Sequence, residues 1–267
     1  EPMFLDHVLP KIGKRGEFDV WAGNSYGIPE GTVDEIVNKI VGKRATYGLT
    51  VRWGRVNITL RAEGPHRKKV LADLSRRVCR ALGPCYMDAE VHEVVARRLI
   101  GTKTTLAVAE SCTGGLISHR LTEVPGISSV LLESVVTYSN ESKVKRLGVD
   151  PELIRKHGAV SEEVARAMAL GVARTSGAKV GVAVRGIAGP GGGSAEKPTG
   201  LCYMAVDDWV ESRVFVGERS HVKERPAGYA LNMLRLWLKF PTPWPIGPHF
   251  PEHFGYALAG SKALLET

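Results

Sequence analysis

Ser111, Cys112 and Thr113 leave the apolar run at 106–108 and are followed at once by Gly114 and Gly115. Hydroxyls and glycines at the end of a strand pattern suit a loop that lets a ligand approach the backbone. A helical pattern follows through Leu116, Ile117 and Leu121. Unpaired N–H groups at such a helix start attract an anion or an oxyanion. The segment has neither Gly-x-Gly-x-x-Gly nor Gly-Lys-Ser/Thr, so it is not a dinucleotide or phosphate loop of the common kinds. Three other polar clusters accompany it: residues 125–129 with Ser128, residues 138–143 from Tyr138 to Lys143, and the glycine-rich stretch 186–194 with Lys197-Pro198 beyond. A serine is a weak nucleophile until a base takes its proton, and a desolvated lysine can be that base, with a tyrosine to relay the proton or hold the geometry. Each residue also has an ordinary use. Serines after glycine make turns and caps, Lys143 suits a wetted helix face, Tyr138 suits a strand end, and glycines 189–193 suit a flexible loop. The histidines are dispersed and form no ligand-spaced pair.

The elements that must hold these clusters read as follows. Apolar periodicity predicts helices at 3–12, 31–41 and 65–82, a strand at 18–21, and paired strands across 51–62 turning at Gly54-Arg55. Gly83-Pro84 then breaks the chain. Helices are expected at 88–100, from 116 to about 122, from Asp150-Pro151-Glu152, and from Ser161 to a stop at Gly177. A strand and the polar loop after it are expected at 104–115, further strands at 130–138 and 180–184, then a hairpin of 201–206 with 210–216, and a last helix ending near Lys239. Alternating strands and helices predict an α/β fold, a layered α/β/α domain with a mainly parallel sheet. A small α+β domain precedes it. The expected divisions are 1–87, 88–240 and a proline-rich extension 241–267, with a short helix at 257–265. In an open α/β sheet the residues beyond the carboxyl ends of the strands line the ligand crevice. The first, third and fourth clusters each follow a strand pattern and are therefore expected to converge.

Composition sets the class. The chain has 267 residues, 43% of them apolar. No apolar run approaches the ~20 residues that span a bilayer. Four scattered cysteines without Cys-x-x-Cys spacing argue against a zinc site or a disulfide framework and fit a cytoplasmic, reducing compartment. The net charge is +8, and residues 1–88 hold 15 Lys and Arg against 10 Asp and Glu. Runs such as Arg67-Lys68-Lys69 can bind nucleic acid, but at this modest charge they read first as the wet face of a helix.

Ala-Glu-Ser-Cys-Thr-Gly-Gly, Val-Thr-Tyr-Ser-Asn-x-x-Lys, Gly-Ala-Val-Ser and Gly-Ile-Ala-Gly-Pro…Lys-Pro-x-Gly, in this order, resemble the competence/damage-inducible protein A (CinA) carboxy-terminal family over roughly 90–239. The resemblance implies a cofactor-free, metal-free nicotinamide mononucleotide deamidase acting as a homodimer. It implies Ser128 as nucleophile, with Tyr138 and Lys143 activating it. Ser111, Thr113, Gly114, Gly115, Gly189, Gly191 and Arg219 are implied as substrate-binding residues, Arg219 facing the phosphate. Residues 1–87 resemble the family's KH-like domain through Ser25-Tyr26-Gly27-Ile28, Glu30 and the strand at 56–60. Full-length members carry a further amino-terminal domain, so a chain starting at Glu1 is expected to be a fragment.

The chain departs from the family pattern at Arg185, where a Ser or Thr hydroxyl normally precedes Gly-Ile-Ala-Gly-Pro. An arginine there can fill substrate space, pair with Glu110 or Glu133, contact a phosphate, or lower the pKa of Lys143. Glu133-Ser134 is a milder departure, a serine standing where glycine is common. The competing expectation is a catalytically degenerate member that binds a nucleotide or a partner. A third, RNA binding by Gly13-Lys14-Arg15-Gly16, ranks below both, because a strand pattern follows that segment instead of the second helix of a KH clamp.

Overall fold

The computed structural model describes residues 18–52 and 54–239. The expected helix at 3–12, the Gly13-Lys14-Arg15-Gly16 segment and the extension 241–267 lie outside the described residues. The chain divides into two compact units after Asp88.

In the first unit, β1 (Phe18–Tyr26) is followed by α1 (Glu30–Val41), β2 (Thr46–Arg52), β3 (Arg55–Glu63), α2 (Arg67–Leu82), a 3-10 turn (Gly83–Cys85) and β4 (Tyr86–Met87). The strands form a four-stranded sheet in the order β2-β3-β1-β4 with antiparallel pairing throughout. Strand β3 alternates, with Val56, Ile58, Leu60 and Ala62 inward. They meet Val33, Val37, Leu71, Leu74 and Val78 of the two helices in one core. This is the expected α+β region, with β1 longer than the strand read at 18–21.

The second unit runs α3 (Val91–Thr102), β5 (Leu106–Glu110), α4 (Leu116–Thr122), a 3-10 turn (Ile127–Ser129), β6 (Leu131–Val136), α5 (Asn140–Leu147), α6 (Pro151–His157), α7 (Glu162–Ser176), β7 (Val180–Gly186), β8 (Leu201–Val206), β9 (Trp209–Val214) and α8 (Arg219–Lys239). The sheet order is β6-β5-β7-β8-β9. Strands β6, β5 and β7 are mutually parallel, β8 is antiparallel to β7, and β9 is antiparallel to β8. Four of five strands therefore point the same way. Every residue of β5 is buried, as a central strand covered on both faces requires. Alanines 107, 109, 183 and 205 pack against Val164, Ala165, Met168 and Val172 of α7.

Local signals place the helices. Asp150 accepts from the Glu152 N–H at 2.9 Å with Pro151 at the first helical position, and Ser161 accepts from the Val164 N–H at 3.4 Å. Gly177 closes α7 at φ +71°. A carbon added at Gly181 would fall 1.9 Å from the Ala169 carbonyl, so only glycine lets α7 press onto β7. No helix among the described residues is long and apolar enough to cross a membrane.

Candidate active site

Chain order reverses at β5: β6 lies on one side and β7 on the other. The crevice of an open α/β sheet opens at such a point, beyond the carboxyl ends of the strands. Residues 111–115, 137–143 and 187–200 all leave the sheet at that end, after β5, β6 and β7.

The first loop is held from inside. Glu110 is fully buried, and its carboxylate accepts from the N–H groups of Gly115 (3.0 Å), Ile117 (3.2 Å) and Ser118 (3.0 Å) and from the Ser118 hydroxyl (2.7 Å). A carboxylate at the positive end of α4 is well placed. It also corrects the expectation that this helix start offers free N–H groups to a ligand, since the protein's own side chain has taken three of them. Ser111 and Thr113 are buried, and the Thr113 hydroxyl has no partner among the described residues. Gly114 has φ +65°, and a carbon added there would lie 3.7 Å from Lys223 Nζ, which reaches over the loop from α8.

The second loop carries Tyr138 and Lys143. Ser139 caps α5 by accepting from the Ser142 N–H at 3.1 Å. Lys143 is completely buried, not the wetted helix residue its type alone suggests. Its Nζ donates to the carbonyls of Thr137 (2.7 Å), Tyr138 (2.9 Å) and Ser139 (3.1 Å). Burial first, then the nearby Arg185 charge, lowers its pKa to about 8. The ring of Tyr138 is exposed. Its hydroxyl accepts from Arg219 Nη2 at 3.0 Å, while Arg219 Nη1 donates to the Gly189 carbonyl at 2.6 Å. Arg219 thus ties the loop after β6 to the loop after β7. Gly189, at φ +75°, sits where an added carbon would meet Thr199 at 2.6 Å, whereas Gly191 faces open space.

Arg185, at the end of β7, is buried, and its Nε has no partner. No carboxylate among the described residues pairs with it. Neither Glu110, occupied by α4, nor Glu133 is its partner, so that expectation is corrected. Desolvation lowers its pKa to about 10. It stands near Cys112 and Cys202, whose thiols hydrogen-bond to each other, and that bond and the Arg185 charge lower the Cys112 pKa.

Ser128 is the exception to the convergence. It lies exposed in the 3-10 turn before β6, while Tyr138 and Lys143 follow that strand. The length of β6 separates them within one chain, about 20 Å at ~3.3 Å per residue. Ser111, Thr113, Gly114, Gly115, Tyr138, Lys143, Arg185, Gly189, Gly191 and Arg219 belong to one end of the sheet and Ser128 to the other. Sequence reading missed Lys223 and the capping role of Glu110. Lys223 was legible as the residue one helical turn after Arg219 on the same face of α8.

A family model described as the CinA C-terminal domain matches residues 88–238. A putative competence-damage inducible protein of Alkaliphilus metalliredigens is 39% identical over 249 residues, which are 88% of this chain and 60% of that protein. One of Moorella thermoacetica is 40% identical over 250 residues with the same shares. The chain thus spans about 60% of the length of these curated relatives. Among solved structures, the competence/damage inducible protein CihA from Agrobacterium tumefaciens is 40% identical, with a TM-score of 0.51, covering 58% of this chain and 100% of that one. The competence damage-inducible protein A (ComA) from Klebsiella pneumoniae is 33% identical, with a TM-score of 0.54 and the same coverage.

Proposed function

The chain belongs to the CinA C-terminal domain family, and from that premise we propose that it is an amidohydrolase converting nicotinamide mononucleotide to nicotinic acid mononucleotide and ammonia. The observation that carries this reading is the buried Lys143, lowered to about 8, at the end of the sheet where Arg219 joins Tyr138 to the glycine-rich loop. An amine with that pKa is neutral often enough near neutral pH to accept a serine proton.

In the proposed reaction, since one chain holds Ser128 and Lys143 at opposite ends of β6, the Ser128 Oγ comes from the second copy of the homodimer that the family resemblance implies; it attacks the carboxamide carbon and its proton passes to the Lys143 amine. Tyr138 holds the path between them. The tetrahedral adduct collapses as the C–N bond breaks, the proton goes to the departing nitrogen, and ammonia leaves an acyl ester on serine. Water then cleaves the ester to the carboxylate and restores the hydroxyl. Arg219 and Lys223 supply cations for the nucleotide phosphate, with guanidinium N–H groups of Arg219 left over after its two bonds. The unpartnered Thr113 hydroxyl is available to polar atoms of the substrate.

Ammonia release from nicotinamide mononucleotide tests the reading, with Ser128→Ala and Lys143→Met as controls. Wild type is expected to turn over and both variants to lose at least a hundredfold. A wild type as inert as Ser128→Ala removes the enzymatic reading. One observation favours a second one: Arg185 is a buried, unpaired cation, at a position where the family resemblance implies a hydroxyl. In a degenerate binder this guanidinium blocks the reacting position. Turnover that appears only in Arg185→Thr selects that reading.

A further inference from the structure

Two rows of side chains cross the sheet of the second unit near the carboxyl ends of its parallel strands. The pairing sets Val135, Ala109, Ala183 and Ala205 level with one another, and this row packs in the α7 core. Side chains of a strand return to the same face every second residue. The next row on that face is therefore Thr137, Ser111, Arg185 and Tyr203. The ladder still holds there. The Ser111 N–H donates to the Val184 carbonyl at 3.0 Å and the Thr137 N–H to the Glu110 carbonyl at 2.9 Å, while Arg185 pairs with Tyr203. Tyr203 also packs on the α7 core, which identifies the face. An apolar row thus gives way to a polar one in a single step along the strands.

The donors of this polar end are not all used. Arg185 is only 8% exposed, its Nε has no hydrogen-bond partner, and no carboxylate among the described residues pairs with it. The hydroxyls of Thr137 and of Thr113, two residues beyond Ser111, are buried and also lack partners. Lys143 already directs its donors to three carbonyls. The thiols of Cys112 and Cys202 bond to each other. Arg185 is thus a buried cation with no counter-charge, an arrangement that is costly until a partner arrives. We propose that the partner is a carboxylate on the ligand, and that Arg185 makes the crevice select the acid form of a pyridine nucleotide over its amide. A guanidinium presents two parallel N–H groups that match the two oxygens of a carboxylate. A carboxamide offers one oxygen, and its NH2 sets donor against donor. One monoanion balances the one spare cation here, whereas a phosphate dianion is better met by Arg219 together with Lys223.

The identity of the ring rests on the proposed amidohydrolase reading, and the carboxylate site does not. In that reaction the acid is the product, so Arg185 holds product more tightly than substrate and release of the acid slows turnover. Calorimetric titration with nicotinic acid mononucleotide and with nicotinamide mononucleotide tests the selectivity, in a Ser128→Ala background that keeps the amide intact. The acid is expected to bind at least tenfold more tightly. Adding Arg185→Thr should remove that factor from the acid and leave the amide unchanged or tighter. Arg185→Lys, which keeps the charge without the fork, should retain part of it. Arg185→Met, closer in volume, takes the place of Arg185→Thr if the smaller side chain unfolds the protein. Equal affinities with Arg185 present, or an acid preference that survives Arg185→Thr, overturn the proposal and leave the deamidase reading standing. If neither nucleotide binds, the functional reading falls, and benzoate decides the carboxylate site with benzamide as the neutral control. A rise in melting temperature with benzoate alone, lost in Arg185→Thr, supports the site. The same shift, or none, in both proteins overturns it.

Discussion

Lys143 holds its charge on three backbone carbonyls instead of on a carboxylate. Burial and then the Arg185 guanidinium push it to about 8, with Cys112 and Glu141 acting weakly the other way. As a base it must be neutral, so kcat/KM is expected to fall about tenfold per pH unit below ~8 and to level off above it. Arg185→Gln removes the second cause of the shift, and the limb should move to higher pH. A pH–rate profile of the two proteins checks both statements, and a flat wild-type profile through pH 7–8 rules out Lys143 as the base. The sign for stability is the reverse of a salt-bridged lysine. The unfolded chain binds more protons between about 8 and the ordinary value of 10.5, so this group's contribution to stability rises with pH across that window. The residue types of this site were legible in the sequence. The burial of Lys143 was not, because a lysine amid polar neighbours on a short helix gives no apolar pattern, and only the turn of 137–139 around its ammonium supplies the acceptors.

At the scale of elements, α4 shows how local signals can mislead. Its start looks like an anion cradle, yet Glu110 of the preceding strand fills it with four hydrogen bonds. Glu110→Ala would leave buried N–H groups without acceptors and is expected to cost about 3 kcal/mol or more. The shift of the urea midpoint measures the cost, and hydrogen exchange should show the loss centred on 115–118. A change under ~1 kcal/mol would mean that water replaces the carboxylate there. The helix caps at Asp150 and Ser161 and the stop at Gly177 were readable because each depends on one or two adjacent residues. The reach of Glu110 into α4 was also short-range, but it needs the strand-to-helix turn to aim it. Strand β6 was read at 130–138 and ends at Val136, because Thr137 and Tyr138 turn their carbonyls onto Lys143.

Across the whole molecule, the two units carry separate apolar cores. The first is small, and a domain of that size has little stability to spare. Leu60, fully buried in β3, should cost about 2–5 kcal/mol when cut to alanine. Hydrogen exchange at the β1 and β3 amides is the readout, and protection unchanged there would contradict the core assigned to this unit. The α/β layering, most of the helices and the set of polar loops were determined by the sequence alone, since periodicity, caps and glycines act over a few residues, whereas the helix Asn140–Leu147 that carries Lys143 was not among those expected. The tertiary structure decided which loops share an end of the sheet. Strand order and direction are set by packing between segments far apart in the chain, as when Arg219 reaches Tyr138 across 81 positions. The same order sends Ser128 to the opposite end, a separation that nearness in sequence conceals because a strand runs straight between the two ends.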